Sequence, residues 1–327
     1  MYGKFLGIEI GGTKLQVGLG SEEPGKLDMT HRFAAHSDQG AQEICRQMKQ
    51  GVLELLEQAS IDREEIVGAG IGFGGPVHQD LLTVVKSHQV NGWEEFPLSQ
   101  WLIDNFEIPA VVHNDADTAA LAEARFGAGK GCNPIFYITI GSGIGGGLIV
   151  DGEIYRGLGS GASEVGHMKV PVSLLKQSFD AQGESWVNLE SICSGWSIAK
   201  RADHIERSGE PTILTTFRLA AKRGLTAEMV KEGADNGDEV CRQLIEDTCC
   251  VLSVSIAQMI TLIAPQRVVI GGGISHLGER LLFDPLRKEV ERYVFPPLRG
   301  CYEIVPAALG DDVVLHGAVE IARDAFG

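Results

Sequence analysis

The sequence predicts an α/β protein of two domains, with mixed sheets flanked by helices. Three observations predict it. Strand-like runs alternate with segments of helical spacing along the chain. A glycine-rich hairpin occurs twice, as FLGIEIGGTKLQVGLG (Phe5 to Gly20) and as YITIGSGIGGGLIVDG (Tyr137 to Gly152), which points to two halves built alike. The length of 327 residues accommodates two domains of ordinary size.

Each element has its own justification. Residues 4–20 read as a hairpin around the first glycine pair. Ile44, Met48, Val52, Leu55 and Leu56 recur at helical spacing, so 42–60 reads as a helix. VGAGIGFGGPV (Val67 to Val77) is a strand entering a glycine turn. PAVVHNDADTAALAEARFG begins as a strand at Ala110 and becomes a helix after Asn114, with Asp117 read as its N-cap. The second glycine hairpin follows. Asp238 to Ile263 reads as a long helix, and RVVIGGGIS (Arg267 to Ser275) as a strand opening onto glycines. IVPAALGDDVVLHGAVEIARDAF closes the chain with strand, turn and helix. The division is placed at residues 1–112 for an N-terminal domain and 113–312 for a C-terminal one, with the helix 313–327 crossing back to the first.

Composition excludes several classes. A net charge of −16 argues against nucleic acid as a partner, because phosphate-backbone binding needs a basic face. The seven cysteines are odd in number and include no CxxC pair, as expected of reduced thiols in a cytoplasmic protein. The N-terminus lacks a signal-peptide pattern. The most apolar long segment, Val251 to Ala264, is shorter than the roughly 20 residues of a membrane span. With Glu246, Asp247 and Gln258 nearby it reads as a buried helix, so no membrane partner is expected.

The glycines suggest chemistry. A bare turn between strands can aim several backbone N–H groups at one point and so bind phosphate. The turn Gly11-Gly12-Thr13-Lys14 adds a hydroxyl and an ammonium. The turn Gly141-Ser142-Gly143 adds a second hydroxyl. One such hairpin alone is as well read as a tight turn with no ligand. Two of them, with a third turn at Gly271-Gly272-Gly273, favour a triphosphate. The dinucleotide fingerprint GxGxxG is a poor competitor, since the Gly141 hairpin runs on into a strand where that fingerprint needs a helix.

IEIGGTK resembles the first phosphate motif of the actin-like ATPase and sugar-kinase superfamily, ITIGSGIGGGLIVDGEIYRG its second, and VVIGGGIS its adenosine motif. HNDADTAALAE, ASEVGH and NLESICSG narrow the resemblance to the ROK family (repressor, open reading frame, kinase), and within it to the bacterial glucokinases. The resemblance implies the actin-like ATPase (ribonuclease H-like) fold with a cleft between domains, ATP and Mg²⁺ as cofactors, a hexose substrate and a homo-oligomer, a dimer first. It makes Asp115 the catalytic base and Asn114, Glu164, His167 and Glu190 sugar-hydroxyl ligands. Gly74 and Gly75 let backbone approach the sugar, and Lys86 to Glu95 resembles the loop that closes over it. Gly11, Gly12, Thr13, Lys14, Ser142 and Gly143 would bind phosphates, Gly272 would pack on adenosine, and Glu9 would hold Mg²⁺ through water.

Four departures stand out. Gln89 replaces an Asn common in the family, Glu9 an Asp, and Ser142 a Thr. Between His167 and Glu190, where the family carries zinc-binding cysteines, this chain has none, and His167 with Cys193 cannot complete a four-ligand site. Structural zinc is therefore expected to be absent. Two readings stand for the segment in its place: an apolar clasp, with Met168, Val170, Val172 and Leu174 on one strand face and Trp186, Val187 and Leu189 folding back on it, or a mobile surface loop with one exposed Trp.

The expected activity is phosphorylation of a hexose, glucose first, with N-acetylmannosamine, allose or fructose as alternatives. A sugar-sensing repressor is the rival from another class. Such repressors carry a helix-turn-helix ahead of the first phosphate motif, which here starts within the first ten residues. A non-catalytic sugar binder is the third reading.

Overall fold

The computed structural model describes residues 3–12, 14–87, 90–158, 161–177, 183–221 and 224–327. The first sheet comprises β1 (Lys4–Ile10), β2 (Lys14–Gly20), β3 (Leu27–Ala34), β4 (Ile66–Phe73) and β5 (Ala110–Asn114), in the order β3-β2-β1-β4-β5. β1, β2 and β3 run antiparallel, while β4 and β5 run parallel to β1. Six of the seven residues in β1 are buried, as expected for a strand covered on both faces. β3 instead alternates half-buried with exposed residues at the sheet edge, which is why its sequence carries so little apolar signal.

Helices α1 (Ala41–Ala59), α2 (Leu98–Phe106) and α3 (Asp115–Arg125) accompany this sheet. α1 packs its Ile44, Met48, Val52 and Leu55 stripe on β2 and β3, and it ends at Ser60 in the left-handed conformation. Trp93 sits in the same core, edge-on to Phe73 and Phe96 at ring distances of 5.1 and 5.0 Å.

The second five-stranded sheet contains β6 (Ile135–Ile140), β7 (Ile144–Val150), β8 (Glu153–Ile154), β11 (Arg267–Gly271) and β12 (Glu303–Pro306). Its order is β12-β11-β6-β7-β8, with β11 and β12 parallel to β6. Counted from the first strand of each, the two sheets have the same order, so the repeated hairpin reflects a repeated topology. β9 (Lys169–Pro171) and β10 (Trp186–Asn188) form a separate pair. The remaining helices are α4 (Glu190–Cys193), α5 (Gly195–Arg207), α6 (Leu214–Ala221), α7 (Ala227–Asp235), α8 (Glu239–Ile263), α9 (Asp284–Tyr293) and α10 (Val313–Phe326). By length and composition α8 could cross a membrane, but 72% of its most apolar window is buried within the protein.

The chain forms two compact units. One contains Met1–Cys132, Gly147–Ser163 and Ala308–Gly327, and the other Asn133–Gly146 and Glu164–Ala307. In the first, α10 packs on β1, β4 and α3.

The clasp expectation needs correction. β9 and β10 do pair antiparallel, with Val187 opposite Val170, and both Val170 and Leu189 are buried. β9 stops at Pro171, however, and Val172–Leu174 turns as a short 3-10 helix. Trp186 stands at the start of the pair with 56% of its surface exposed. Alternate side chains of a strand face opposite ways, and this one faces water. Trp186→Ala should therefore change stability by no more than about 0.5 kcal/mol, whereas Leu189→Ala should cost about 2–5 kcal/mol. Urea denaturation of both variants checks this, and equal losses would contradict the exposed placement.

Candidate active site

In the first unit, two turns and a helix start share one region. Gly11 N–H donates to the Lys14 carbonyl at 3.0 Å and closes the first glycine turn. Glu9, the penultimate residue of β1, is 7% exposed. Its Oε1 lies 3.0 Å from Lys14 Nζ, and its Oε2 accepts from Gln16 Nε2 at 2.5 Å. Gln16 cannot flip without loss, because Arg32 Nε donates to its Oε1 at 2.7 Å. Arg32 in turn spans Asp311 and Asp312 at 3.2 and 3.0 Å. Burial pushes the Glu9 carboxyl above its usual range, opposed by Lys14, Gln16 and Arg32. Lys14 also donates to the Asp311 carbonyl at 3.0 Å. Lys14 and Glu9, given separate ligands by the sequence, are here each other's partner. Thr13 and Gln89 lie outside the described residues.

The turn after β4 and the start of α3 are tied together by Asn114. Its Oδ1 accepts from Ala116 N–H and Asp117 N–H at 2.8 and 3.3 Å, and its Nδ2 donates to the Gly75 carbonyl at 3.2 Å. The N-cap of α3 is therefore Asn114, not Asp117, which lies three residues inside. Asp115 is the first residue of the helix. Its Oδ1 accepts from Ala116 N–H at 2.9 Å, and its Oδ2 lies beside Gly74, 3.5 Å from where a Cβ on that glycine would stand. A carboxylate in the first turn is also favoured by the helix dipole. Asn114, Asp115, Gly74 and Gly75 thus lie together in this unit.

The second unit holds the other glycine turn. Gly141 N–H donates to the Gly143 carbonyl at 2.9 Å, and the Gly141 carbonyl accepts from Gly195 N–H, at the start of α5, at 2.7 Å. Glu190 braces this turn, since its Oε2 accepts from Ile144 N–H at 2.7 Å. Glu164 and His167 flank a tight turn, closed by His167 N–H on the Glu164 carbonyl at 3.0 Å, and both are exposed while Val165 and Gly166 between them are buried. Among the described residues, no three His, Cys, Asp or Glu side chains converge as metal ligands. Cys193 is fully buried, with its Sγ 3.7 Å from the Thr248 carbonyl.

A cavity of about 390 Å³ adjoins Gly141 and Ser142. Ile198, Leu225, Ala227, Val230 and Ile274 make its apolar walls, with Trp196 and His276 also lining it. Gly272 has φ +78°, and a Cβ there would come within 2.6 Å of the Ile140 carbonyl oxygen, so no other residue fits against β6. Gly272 faces that strand, and Gly273, Ile274, His276 and Leu277 line the cavity. The contributions of Trp196 and of α7 carry no motif; only the packing of α5 and α7 places them there.

The ROK family model matches residues 5–325. The chain belongs to the ROK family. A glucokinase of Thermotoga maritima is 29% identical over 325 residues, covering 99% of this chain and 98% of that protein. The crystal structure of a ROK glucokinase from Streptomyces griseus, in complex with glucose and AMPPNP, superposes with a TM-score of 0.82 at 29% identity, covering 98% of this chain and 100% of that one. A ROK transcriptional regulator, a homolog of the E. coli MLC protein, gives the same TM-score at 21% identity, with 99% of this chain and 78% of that one covered. The fold is thus the actin-like ATPase fold of the ROK sugar kinases.

His113 precedes the Asn114–Asp115 pair on β5 of this ROK protein. Burial, reinforced by the Arg156 charge and opposed by Asp324, pushes its imidazole down to about 4 from 6.5. A depressed histidine stays neutral in the fold while the unfolded chain takes up a proton. Stability should therefore be complete above pH 6.5 and fall as pH drops toward 4. The loss attributable to this group is about 3 kcal/mol once the pH is below both values. Urea titrations of the parent and of His113→Gln between pH 7 and 4 test this, and equal pH slopes for the two proteins would refute it.

Proposed function

We propose that this sugar kinase transfers the γ-phosphoryl group of ATP to the primary hydroxyl of a hexose, glucose first, with Asp115 as general base. The observation that carries the reading is the Asp115 carboxylate at the start of α3, fixed beside the Gly74–Gly75 turn by the two-ended Asn114 side chain. A carboxylate there accepts the hydroxyl proton as the sugar oxygen attacks phosphorus. The hydroxyl O–H bond breaks, an O–P bond forms, and ADP leaves.

Within each unit the other residues take complementary roles. Gly11, Gly12, Lys14, Ser142 and Gly143 hold phosphates through backbone N–H groups, the ammonium and the Ser142 hydroxyl. Adenosine occupies the apolar cavity beside Gly141 and Ser142. Glu164, His167 and Glu190 accept hydrogen bonds from sugar hydroxyls. Mg²⁺ would neutralise phosphate charge and travels with the nucleotide. Both Glu9 oxygens are engaged by Lys14 and Gln16, so Glu9 suits a contact through water rather than direct ligation.

Asp115→Ala should leave ATP binding intact and cut turnover by about 10²-fold or more. Near-normal turnover measured by ADP release would remove Asp115 from the mechanism. A panel of glucose, fructose, allose and N-acetylmannosamine in the same assay identifies the acceptor, and silence with every one would favour a sensing role.

The two carboxylates of the second unit should separate. Glu164→Ala should raise KM for sugar about 5- to 150-fold, by the loss of about 1–3 kcal/mol at an unpaired polar contact, with KM for ATP unchanged. Glu190→Ala should raise both, because it also releases the Ile144 N–H beside the phosphate turn. Equal, sugar-only effects in steady-state kinetics would show that the brace is unimportant.

A further inference from the structure

We infer that the buried Arg201–Asp247 ion pair positions the sugar-binding residues, with Asp247 as the acceptor that pins the chain at Lys176 and Gln177, between His167 and Glu190 in sequence. The inference rests on the reading of His167, Glu190 and Glu164 as sugar ligands. It begins with a pair of charges where charge is expensive. The Asp247 side chain on α8 is 1% exposed and that of Arg201 on α5 is 2% exposed, with Nη2 3.3 Å from Oδ2. Arg201 Nη1 also donates to Thr248 Oγ1 at 3.3 Å. A carboxylate this deep is tolerated only when its lone pairs are filled.

What fills them is informative. Asp247 Oδ1 accepts from Lys176 N–H at 3.2 Å and from Gln243 Nε2 at 2.9 Å. Oδ2 accepts from Gln177 N–H at 3.0 Å in addition to Arg201. Two of the four donors are thus consecutive backbone amides about 70 residues away in sequence. Gln177 adds a second tie, donating from Nε2 to the Val240 carbonyl at 3.2 Å. Lys176 and Gln177 lie midway along the segment whose base is the β9–β10 pair, with His167 before β9 and Glu190 after β10. Loop amides brought inside need an acceptor, and a carboxylate has four lone-pair sites where a carboxamide oxygen has two. Asp247 therefore does what Asn in its place could not, and Arg201 supplies the countercharge. Because α5 also donates to the phosphate turn through Gly195, the pair links the sugar-side segment to the helix that fixes Gly141.

The rival account is that the pair merely stabilises the unit. An apolar pair of similar volume can stabilise a core equally well, but it accepts no loop amides. The experiment compares the parent with Asp247→Ala and with the double variant Arg201→Met plus Asp247→Leu. The double variant should melt above Asp247→Ala, yet keep a KM for sugar raised about tenfold or more, with KM for ATP within about twofold of the parent. Parental KM for sugar in a folded double variant would overturn the inference. Amide hydrogen exchange of the parent supplies a test that needs no variant. The Lys176 and Gln177 amides should exchange at least about tenfold more slowly than unstructured ones. Unprotected amides at both positions would overturn the inference. If no hexose were phosphorylated, the functional reading would fail while the exchange result still decided whether Asp247 pins the segment.

Discussion

The first unit depends on one constraint, the close approach of the final helix to the strands and helix that carry the site. A Cβ at Gly70 on β4 would stand 1.9 Å from the Ala318 carbonyl oxygen of α10, and one at Gly317 would stand 2.0 Å from the Thr118 carbonyl oxygen of α3. Only glycine permits backbone to meet backbone at such range. α10 thereby fixes β1, β4 and α3 at once, and Glu9, the Gly74–Gly75 turn and Asp115 stand at their ends. Glu123 secures the return of the chain to this unit. Its Oε1 accepts from Ala308 and Leu309 N–H groups, both at 2.9 Å, and its Oε2 from Ala128 N–H at 2.7 Å. A fully buried carboxylate with three backbone donors is satisfied rather than strained.

Charge is arranged differently at the two glycine turns. Around the first, Glu9, Lys14, Gln16, Arg32, Asp311 and Asp312 form a continuous network in which each polar end meets an opposite one. Such a network orients Glu9 at the cost of desolvating it, which is why its carboxyl is pushed upward. Around the second, the turn is held by backbone and by the Glu190 carboxylate, beside a cavity whose apolar walls are joined by Glu228, Lys231 and His276. Polar, cation-bearing surroundings suit a phosphate, and apolar walls suit a flat base, so each turn fits the role proposed for it within its own unit.

Much of this was legible in the sequence, and the reason is local. Glycine runs between apolar strands have few other uses, so both hairpins and the strand at Arg267–Gly271 are visible without a fold. Helical periodicity marks α1, α8 and α10, and the strand-to-helix junction at Asn114–Asp115 has its own signature in the polar pair. The repeated strand order of the two sheets follows from the repeated hairpin.

Tertiary structure alone decided which partner each polar group took. Asn114 and Asp117 are both plausible caps by residue type, and only backbone position selects Asn114. Lys14 and Glu9 sit five residues apart, and only the antiparallel pairing of β1 with β2 brings them face to face. Trp186 has the apolarity of a core residue, yet its place in the β9–β10 register turns it to solvent. Asp247 reads as an ordinary helix charge until α5 and the Lys176–Gln177 backbone close around it. Sequence determines local backbone preference and which face is apolar, because those depend on neighbours along the chain. Hydrogen-bond partners and burial depend on residues tens or hundreds of positions away, so only the packed chain settles them.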